Sequence, residues 1–242
     1  CMDDEAIFLA KKAMLMYSPK AIKRLYEHNP DIQLIVMLRD PIKRAYSAYW
    51  YARQKGWEPL HTFEEAIDAE PLRLEEGWEK WRYCTYLYNS IYHQFLEELF
   101  RYFDRSQVHI FLTEDLHQDP VAVCRRTFGL FDIEPGFEPK IEWHNRTVGA
   151  RSELLARIFA YMMAPGNPLR HQVRRILPRR LRMHAWRLKQ VVWKFNEKPF
   201  TPPPINPETE QRLAEFFRSH NEKLGMLVEL DLSSWHRGAS VK

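Results

Sequence analysis

Apolar positions along this chain follow two different rules. Residues 33–38 (QLIVML) form a short, β-branched, apolar run ended by charge and proline. That pattern predicts a strand covered on both faces, as in a parallel sheet. Residues 108–112 (VHIFL) predict a second strand. Elsewhere the spacing is helical. Residues 19–28 predict a short helix, and Asp40-Pro41 opens another that runs to about Gly56, with a side-chain acceptor at the cap and proline in the first turn. Further helices are expected over 63–69, over 88–103, from Asp119-Pro120 to about Phe131, and over 207–231. The last is opened by Asn206-Pro207 and carries Leu213, Phe216, Phe217, Leu224 and Leu227. The order helix, strand, helix, helix, strand, helix favours an α/β fold, a parallel β-sheet flanked by helices.

From about residue 165 the character changes. Residues 169–198 hold ten Arg and Lys residues against one acid, Glu197, and residues 199–207 (PFTPPPINP) read as extended. The 242 residues suffice for one large α/β domain or two small ones. They read as one domain with a basic helical insertion and proline-rich segment over 165–205. With 45% hydrophobic residues the chain can bury a core, and its net charge of +4 favours an anionic ligand only weakly. The three cysteines, Cys1, Cys84 and Cys124, match no zinc or redox spacing and point to a reducing compartment, with a Cys84–Cys124 bridge open in a secretory setting. No apolar run reaches membrane-span length.

The chemistry concentrates in residues 34–50, LIVMLRDPIKRAYSAYW. A strand delivers Arg39 at its C-terminal end, where ligands of open α/β sheets bind. A helix starts at once, so its N–H groups and positive end are expected to face the same place. Ser47 follows Asp40 by seven residues, two turns and roughly 10 Å on, along one helical face. Arg39, Ser47 and Arg44 could thus meet on one phosphate, for which the planar guanidinium fork is suited. The plainer reading is a strand-to-helix corner with a structural Arg-Asp pair and a solvated serine.

The order Arg39, Asp40, Pro41, Arg44, Ala45, Ser47, Tyr49 resembles the 3′-phosphate-binding motif R-D-P-x-x-R-A-x-S-x-Y of sulfotransferases that use 3′-phosphoadenosine 5′-phosphosulfate (PAPS). In that family the Arg and Ser positions hold the 3′-phosphate. The segment 86–99 resembles the family's stretch ending G-x-Y-x-x-x-L, with Ser90 for the glycine and with Tyr92 and Leu96 in place; the likeness makes Tyr92 a cofactor-binding candidate, the plainer reading being a core aromatic. Residues 107–120 resemble its strand followed by E-D-L-x-x-D-P, where Glu114 and Asp115 are expected to serve as turn and helix cap. HNRTVGARS (144–152) resembles a loop that closes over the cofactor, on Asn145, Thr147, Arg151 and Ser152, with Ala150 replacing proline. The closing helix is similar to that of bacterial and carbohydrate sulfotransferases, and the likeness covers roughly residues 11–235.

The resemblance implies a P-loop-kinase-like sulfotransferase fold, PAPS as cofactor with 3′,5′-bisphosphate product (PAP), and no metal. The family serves glycans, lipids, small alcohols and protein tyrosines, and a carbohydrate or small-molecule acceptor is expected. The family's K-x-G-[ST]-[ST] loop, which grips the 5′-phosphosulfate, is absent, as is a Walker A pattern. The chain opens Cys-Met-Asp-Asp, so that loop and the general base are expected upstream of Cys1, the alternative being an inactive relative that lacks them. Lys11 falls where carbohydrate sulfotransferases carry an active-site lysine, although the neighbouring proline and aromatic are missing; a solvated helix face is the plainer reading. The basic stretch suits an interfacial helix in peripheral membrane contact, an anionic polymer, or a solvated subdomain; no nucleic acid is expected. A bacterial cytoplasmic enzyme is expected, or one of the Golgi lumen if eukaryotic. The rival classes are a nucleotide-binding transferase of kinase layout and a non-catalytic basic membrane- or nucleic-acid-binding module.

Overall fold

A computed structural model of the chain describes residues 9–12, 14–131, 133, 148–152, 154–155, 158 and 194–236. The chain divides into two compact units. The first holds residues 1–39, 91–135 and 218–234; the second holds 40–90, 136–217 and 235–242.

In the first unit, β1 (Leu34–Leu38) pairs in parallel with β2 (Val108–Leu112), Leu34 opposite Val108 and Leu38 opposite Leu112. Parallel neighbours need a long crossover, and the chain between them supplies it. Both ends of β1 are held by side chains from the β2 side. Gln107 donates to the Pro30 carbonyl at 2.7 Å, and the Thr113 hydroxyl donates to that of Leu38 at 2.8 Å. Helices α1 (Pro19–His28) and α6 (Tyr92–Leu99) pack on one another. Leu38, Leu96, Leu99, Phe103 and Phe111 are buried, each such side chain contributing about 1.5–3 kcal/mol. Helices α7 (Thr113–Gln118) and α8 (Pro120–Gly129) follow β2, and the Asp119 carboxylate caps α8 by accepting from Ala122 N at 2.9 Å.

The second unit is built around α2 (Pro41–Gln54). The helix ends as its sequence dictates. Gly56 takes a left-handed φ of 71°, Trp57 N bonds Ala52 O at 2.9 Å, and Gly56 N bonds Arg53 O at 3.0 Å. This is the six-to-one and five-to-two pairing that a C-terminal glycine permits. Then come α3 (Phe63–Asp68), opened by a Thr62–Glu65 capping box, α4 (Glu70–Glu75) and α5 (Trp78–Trp81). A short antiparallel pair, β3 (Val148–Ala150) with β4 (Glu197–Pro199), packs beside α2. Residues 200–206 carry no regular secondary structure, and α9 spans Pro207–Val228. Glu208 N bonds Asn206 Oδ1 at 2.9 Å, as expected for an Asn-Pro start. Around α2, Tyr49, Phe63 and Tyr86 interlock edge-on and tilted, with ring centroids 5.6 to 6.4 Å apart.

Three expectations are corrected. The helix over 88–103 is broken at Ile91, and its first turn is a 3₁₀ turn, Tyr88–Ser90. The backbone N–H groups of Tyr86, Leu87 and Tyr88 go instead to one carboxylate, that of Glu70. β1 is not covered on both faces among the described residues. Ile35 and Met37 remain 39% and 43% exposed because they alternate onto a face that nothing described packs against. Glu114 and Asp115 do not cap a helix: they sit in the first turn of α7, where no side chain caps the N-terminus, and their charges face the positive end of the helix. Of the basic stretch only residues 194–198 are described; the rest lies outside the described residues.

Candidate functional site

The strand-to-helix corner starts with Arg39, half-buried at the end of β1. Tyr92, 4% exposed, donates its hydroxyl to the Arg39 carbonyl at 3.0 Å. Tyr92 is thereby committed to fixing the backbone from which the Arg39 side chain departs. The Arg39 guanidinium itself has no hydrogen-bond or ion-pair partner among the described residues.

On α2 the N-terminal donors are already spent. Pro41 has no N–H, Ile42 N and Lys43 N bond the Asp40 carboxylate at 2.9 and 3.1 Å, and Arg44 N bonds the Asp40 carbonyl at 2.8 Å. The expectation that helix N–H groups face a ligand is therefore corrected: a cap that satisfies the helix end also occupies it. What remains at this corner to meet a ligand is side chains. The Ser47 hydroxyl, half-buried, bonds nothing among the described residues.

Arg44 stands three residues before Ser47, on the same side of the helix. One guanidinium nitrogen donates to the Tyr86 carbonyl at 3.1 Å and to Ser90 Oγ at 3.3 Å. Ser90, where the resemblance has glycine, donates to that same Tyr86 carbonyl at 2.8 Å. Tyr86 is held at every polar atom. Its N–H goes to Glu70, and its hydroxyl meets Glu58 at 2.6 Å. Glu58 accepts two bonds from Arg73 at 2.7 and 2.8 Å and one from Leu60 N at 2.9 Å. Burial raises the Glu70 carboxyl above the ordinary value, against the pull of three backbone donors and Arg44. Burial, with Glu58 beside it, pushes the Cys84 thiol up to about 12, which keeps it protonated and poorly nucleophilic. Cys84 and Cys124 are both free, so no bridge joins them.

Arg151 and Ser152 follow β3 and are exposed. Arg151 N bonds the Asn196 carbonyl at 2.7 Å, and the Asn196 side chain bonds both Ser152 N and Ser152 O. Lys11 is exposed, in no regular structure, and unpaired among the described residues. Thr147 and Asn145 lie outside the described residues. In the second unit Ser47, Arg44 and Arg151 offer a hydroxyl and two guanidinium groups, and in the first unit Arg39 offers a third, group types suited to phosphate. Among the described residues no three His, Cys, Asp or Glu side chains cluster as a metal site, and no helix is long and apolar enough to cross a membrane.

The sequence reading missed Glu58, Glu70, Arg73 and Asn196. Nothing in their spacing marks them, and only burial, 6% exposed or less in each case, sets them apart from solvated polar residues.

The architecture is a sulfotransferase fold. A sulfotransferase structure from Alicyclobacillus acidocaldarius superposes with a TM-score of 0.62 at 21% identity, covering 93% of this chain and 66% of that one. In sequence the chain is similar to heparan sulfate glucosamine 3-O-sulfotransferase 5 of Mus musculus, 24% identical over 149 residues, 60% of this chain and 41% of that protein. It is also similar to the bifunctional heparan sulfate N-deacetylase/N-sulfotransferase of Drosophila melanogaster, 27% identical over 134 residues, 53% of this chain and 12% of that protein. The chain thus matches less than half the length of either curated relative. No family model matches it.

Proposed function

We propose that the chain transfers a sulfuryl group from PAPS to a hydroxyl or amine of an acceptor, and that Arg39 and Ser47 hold the cofactor's 3′-phosphate. The observation that carries the reading is the pair of uncommitted groups, the Arg39 guanidinium and the Ser47 hydroxyl, at a motif whose neighbours are otherwise hydrogen-bonded. The sulfotransferase names of the relatives support the same reaction class. When bound, PAPS supplies the activated sulfuryl group. The protein's part is to orient it and to neutralise charge, which is where most of the catalysis in such transfers lies. Arg39 donates to the 3′-phosphate as a fork, and Ser47 adds one donor. Arg44, braced against Tyr86 and Ser90, contributes positive potential from a fixed position. Arg151 and Ser152 close over the nucleotide. No metal is needed for this division of work.

A carbohydrate is the acceptor class that the relatives' names favour, since those names specify heparan sulfate. An exposed ring group on the second unit suits that class. Tyr51, one turn after Ser47, is 50% exposed, and Tyr83 is 42% exposed. Trp57 stacks on Tyr83 with centroids 4.4 Å apart, and the Arg82 guanidinium lies 4.9 Å from the Tyr83 ring. Aromatic groups with polar tips are suited to sugars.

The test is thermal stabilisation by adenosine 3′,5′-bisphosphate, compared with 5′-AMP and ATP. A ligand at a hundred times its Kd adds about 2.7 kcal/mol, a rise of roughly 5–10 °C for a chain of this size. The expected result is a rise with the bisphosphate alone, lost in Arg39→Ala. Equal rises with ATP would move the protein to the kinase-like class, and no rise with any nucleotide would end the reading.

A further inference from the structure

Asn196 has the profile of a residue under local demand. It is 6% exposed, yet its neighbours Phe195 and Lys198 are open to solvent. Its side chain makes a reciprocal pair of bonds to one residue: Oδ1 accepts from Ser152 N at 2.9 Å, and Nδ2 donates to Ser152 O at 3.1 Å. Its carbonyl accepts from Arg151 N at 2.7 Å. Three bonds from one residue thus continue the β3–β4 ladder past its last strand pair, Ala150 with Glu197, in a place where the strands themselves stop. The Ser152 hydroxyl is fixed in turn by accepting from Leu155 N at 3.2 Å.

The other side of this stem is anchored to α2. β3 packs on that helix, the Tyr46 hydroxyl donates to the Pro203 carbonyl at 2.8 Å, and Trp50 meets Phe200 with centroids 4.9 Å apart. Tyr46 and Trp50 flank Ser47 on α2. The backbone carrying Arg151 is therefore tied, through Asn196 and β4, to the helix that carries Ser47 and Arg44. An arginine on a long flexible stem loses much side-chain freedom when it grips an anion, so a fixed origin for that stem directly lowers the cost of binding.

We propose that Asn196 is a positioning residue for sulfuryl transfer: it clamps the Arg151-Ser152 backbone so that the Arg151 guanidinium is presented to the anionic nucleotide beside α2. The inference rests on the proposed PAPS-dependent reading. Asn196 touches no ligand in this scheme and acts through Arg151.

The experiment is a double-mutant cycle on the full chain, with adenosine 3′,5′-bisphosphate affinity by calorimetry as the readout. Asn196→Ala is expected to weaken binding about tenfold, the loss of one to two net hydrogen bonds' worth of order. In an Arg151→Ala background the same change is expected to leave the remaining affinity unaltered, because residues that act as one unit are not additive. Asn196→Asp keeps the acceptor for Ser152 N but sets a carboxylate oxygen against Ser152 O; an intermediate loss is expected, and this variant decides the matter if Asn196→Ala does not fold. Unchanged affinity in both Asn196 variants, or an equal loss with and without Arg151, would overturn the proposal. Failure of the wild-type chain to bind the bisphosphate would instead overturn the reading beneath it.

Discussion

Arg73→Met is the sharpest perturbation of the machinery behind Arg44. The Glu58 side chain is fully buried and that of Arg73 is 6% exposed, with two bonds between them. Removing the guanidinium leaves a carboxylate with only the Tyr86 hydroxyl and Leu60 N as donors, and frees the Cys84 carbonyl that Arg73 also serves at 2.9 Å. Breaking one side of a buried pair costs about 3–5 kcal/mol, mostly for the stranded charge. For a chain of this length that is a fall in Tm of roughly 6–20 °C. The companion variant Glu58→Gln/Arg73→Met removes the charge and keeps an acceptor for Tyr86 or Leu60. It should recover at least half the loss. Urea unfolding measures both, with an unchanged slope showing that stability rather than compactness has moved. Because Tyr86 also carries the carbonyl that braces Arg44, the single variant should weaken bisphosphate binding and the double variant should restore part of it. A loss below about 1 kcal/mol for Arg73→Met, or a double variant no more stable than the single, would refute the claim that a stranded charge dominates.

Three further outcomes are expected. Gly56→Ala should destabilise by about 1 kcal/mol in urea unfolding, because φ of 71° puts a Cβ in the left-handed region. Ser90→Gly should leave the fold intact and lower bisphosphate affinity by a few-fold in calorimetry, since Arg44 keeps its Tyr86 bond and loses one neighbour at 3.3 Å. In the first unit, desolvation, then His93 and Lys223, lower the His220 pKa below 6.5, and its ring stacks on His93 with the facing nitrogens 3.0 Å apart. The folded state binds that proton less tightly than the unfolded one, so this contribution is complete above pH 6.5 and declines as pH falls below it. His220→Gln should flatten that part of the stability profile, and an unaltered slope would rule the group out.

Local chemistry made much of the fold legible. Asp40-Pro41, Asp119-Pro120 and Asn206-Pro207 each combine a cap acceptor with a first-turn proline, and each opens a helix where the residues say it should. The strand β2 likewise falls on its apolar run. What stayed illegible is the buried polar framework. Glu58, Glu70, Arg73 and Asn196 are ordinary surface residue types, and what makes them structural is a set of partners 11 to 44 residues away. Sequence periodicity records faces, not such pairings. The one helix misread, 88–103, has helical spacing throughout, and the carboxylate that gathers the N–H groups of Tyr86, Leu87 and Tyr88 lies 16 to 18 residues upstream, where no periodicity points.

This framework bears on how an anion would be held. At α2 the motif's own aspartate fills the helix N-terminus, so the backbone offers no free donor there and the dipole alone remains. On the proposed reading recognition is left to long or rotatable side chains, whose precision depends on what braces them. Tyr92 braces the backbone of Arg39, Tyr86 with Ser90 braces Arg44, and Asn196 braces that of Arg151. Buried carboxylates are costly to keep, and Glu70 bears that cost in its raised pKa. Their placement behind the 86–90 segment is what such a division of labour requires, with charge spent inside unit two so that the guanidinium on α2 starts from a fixed point.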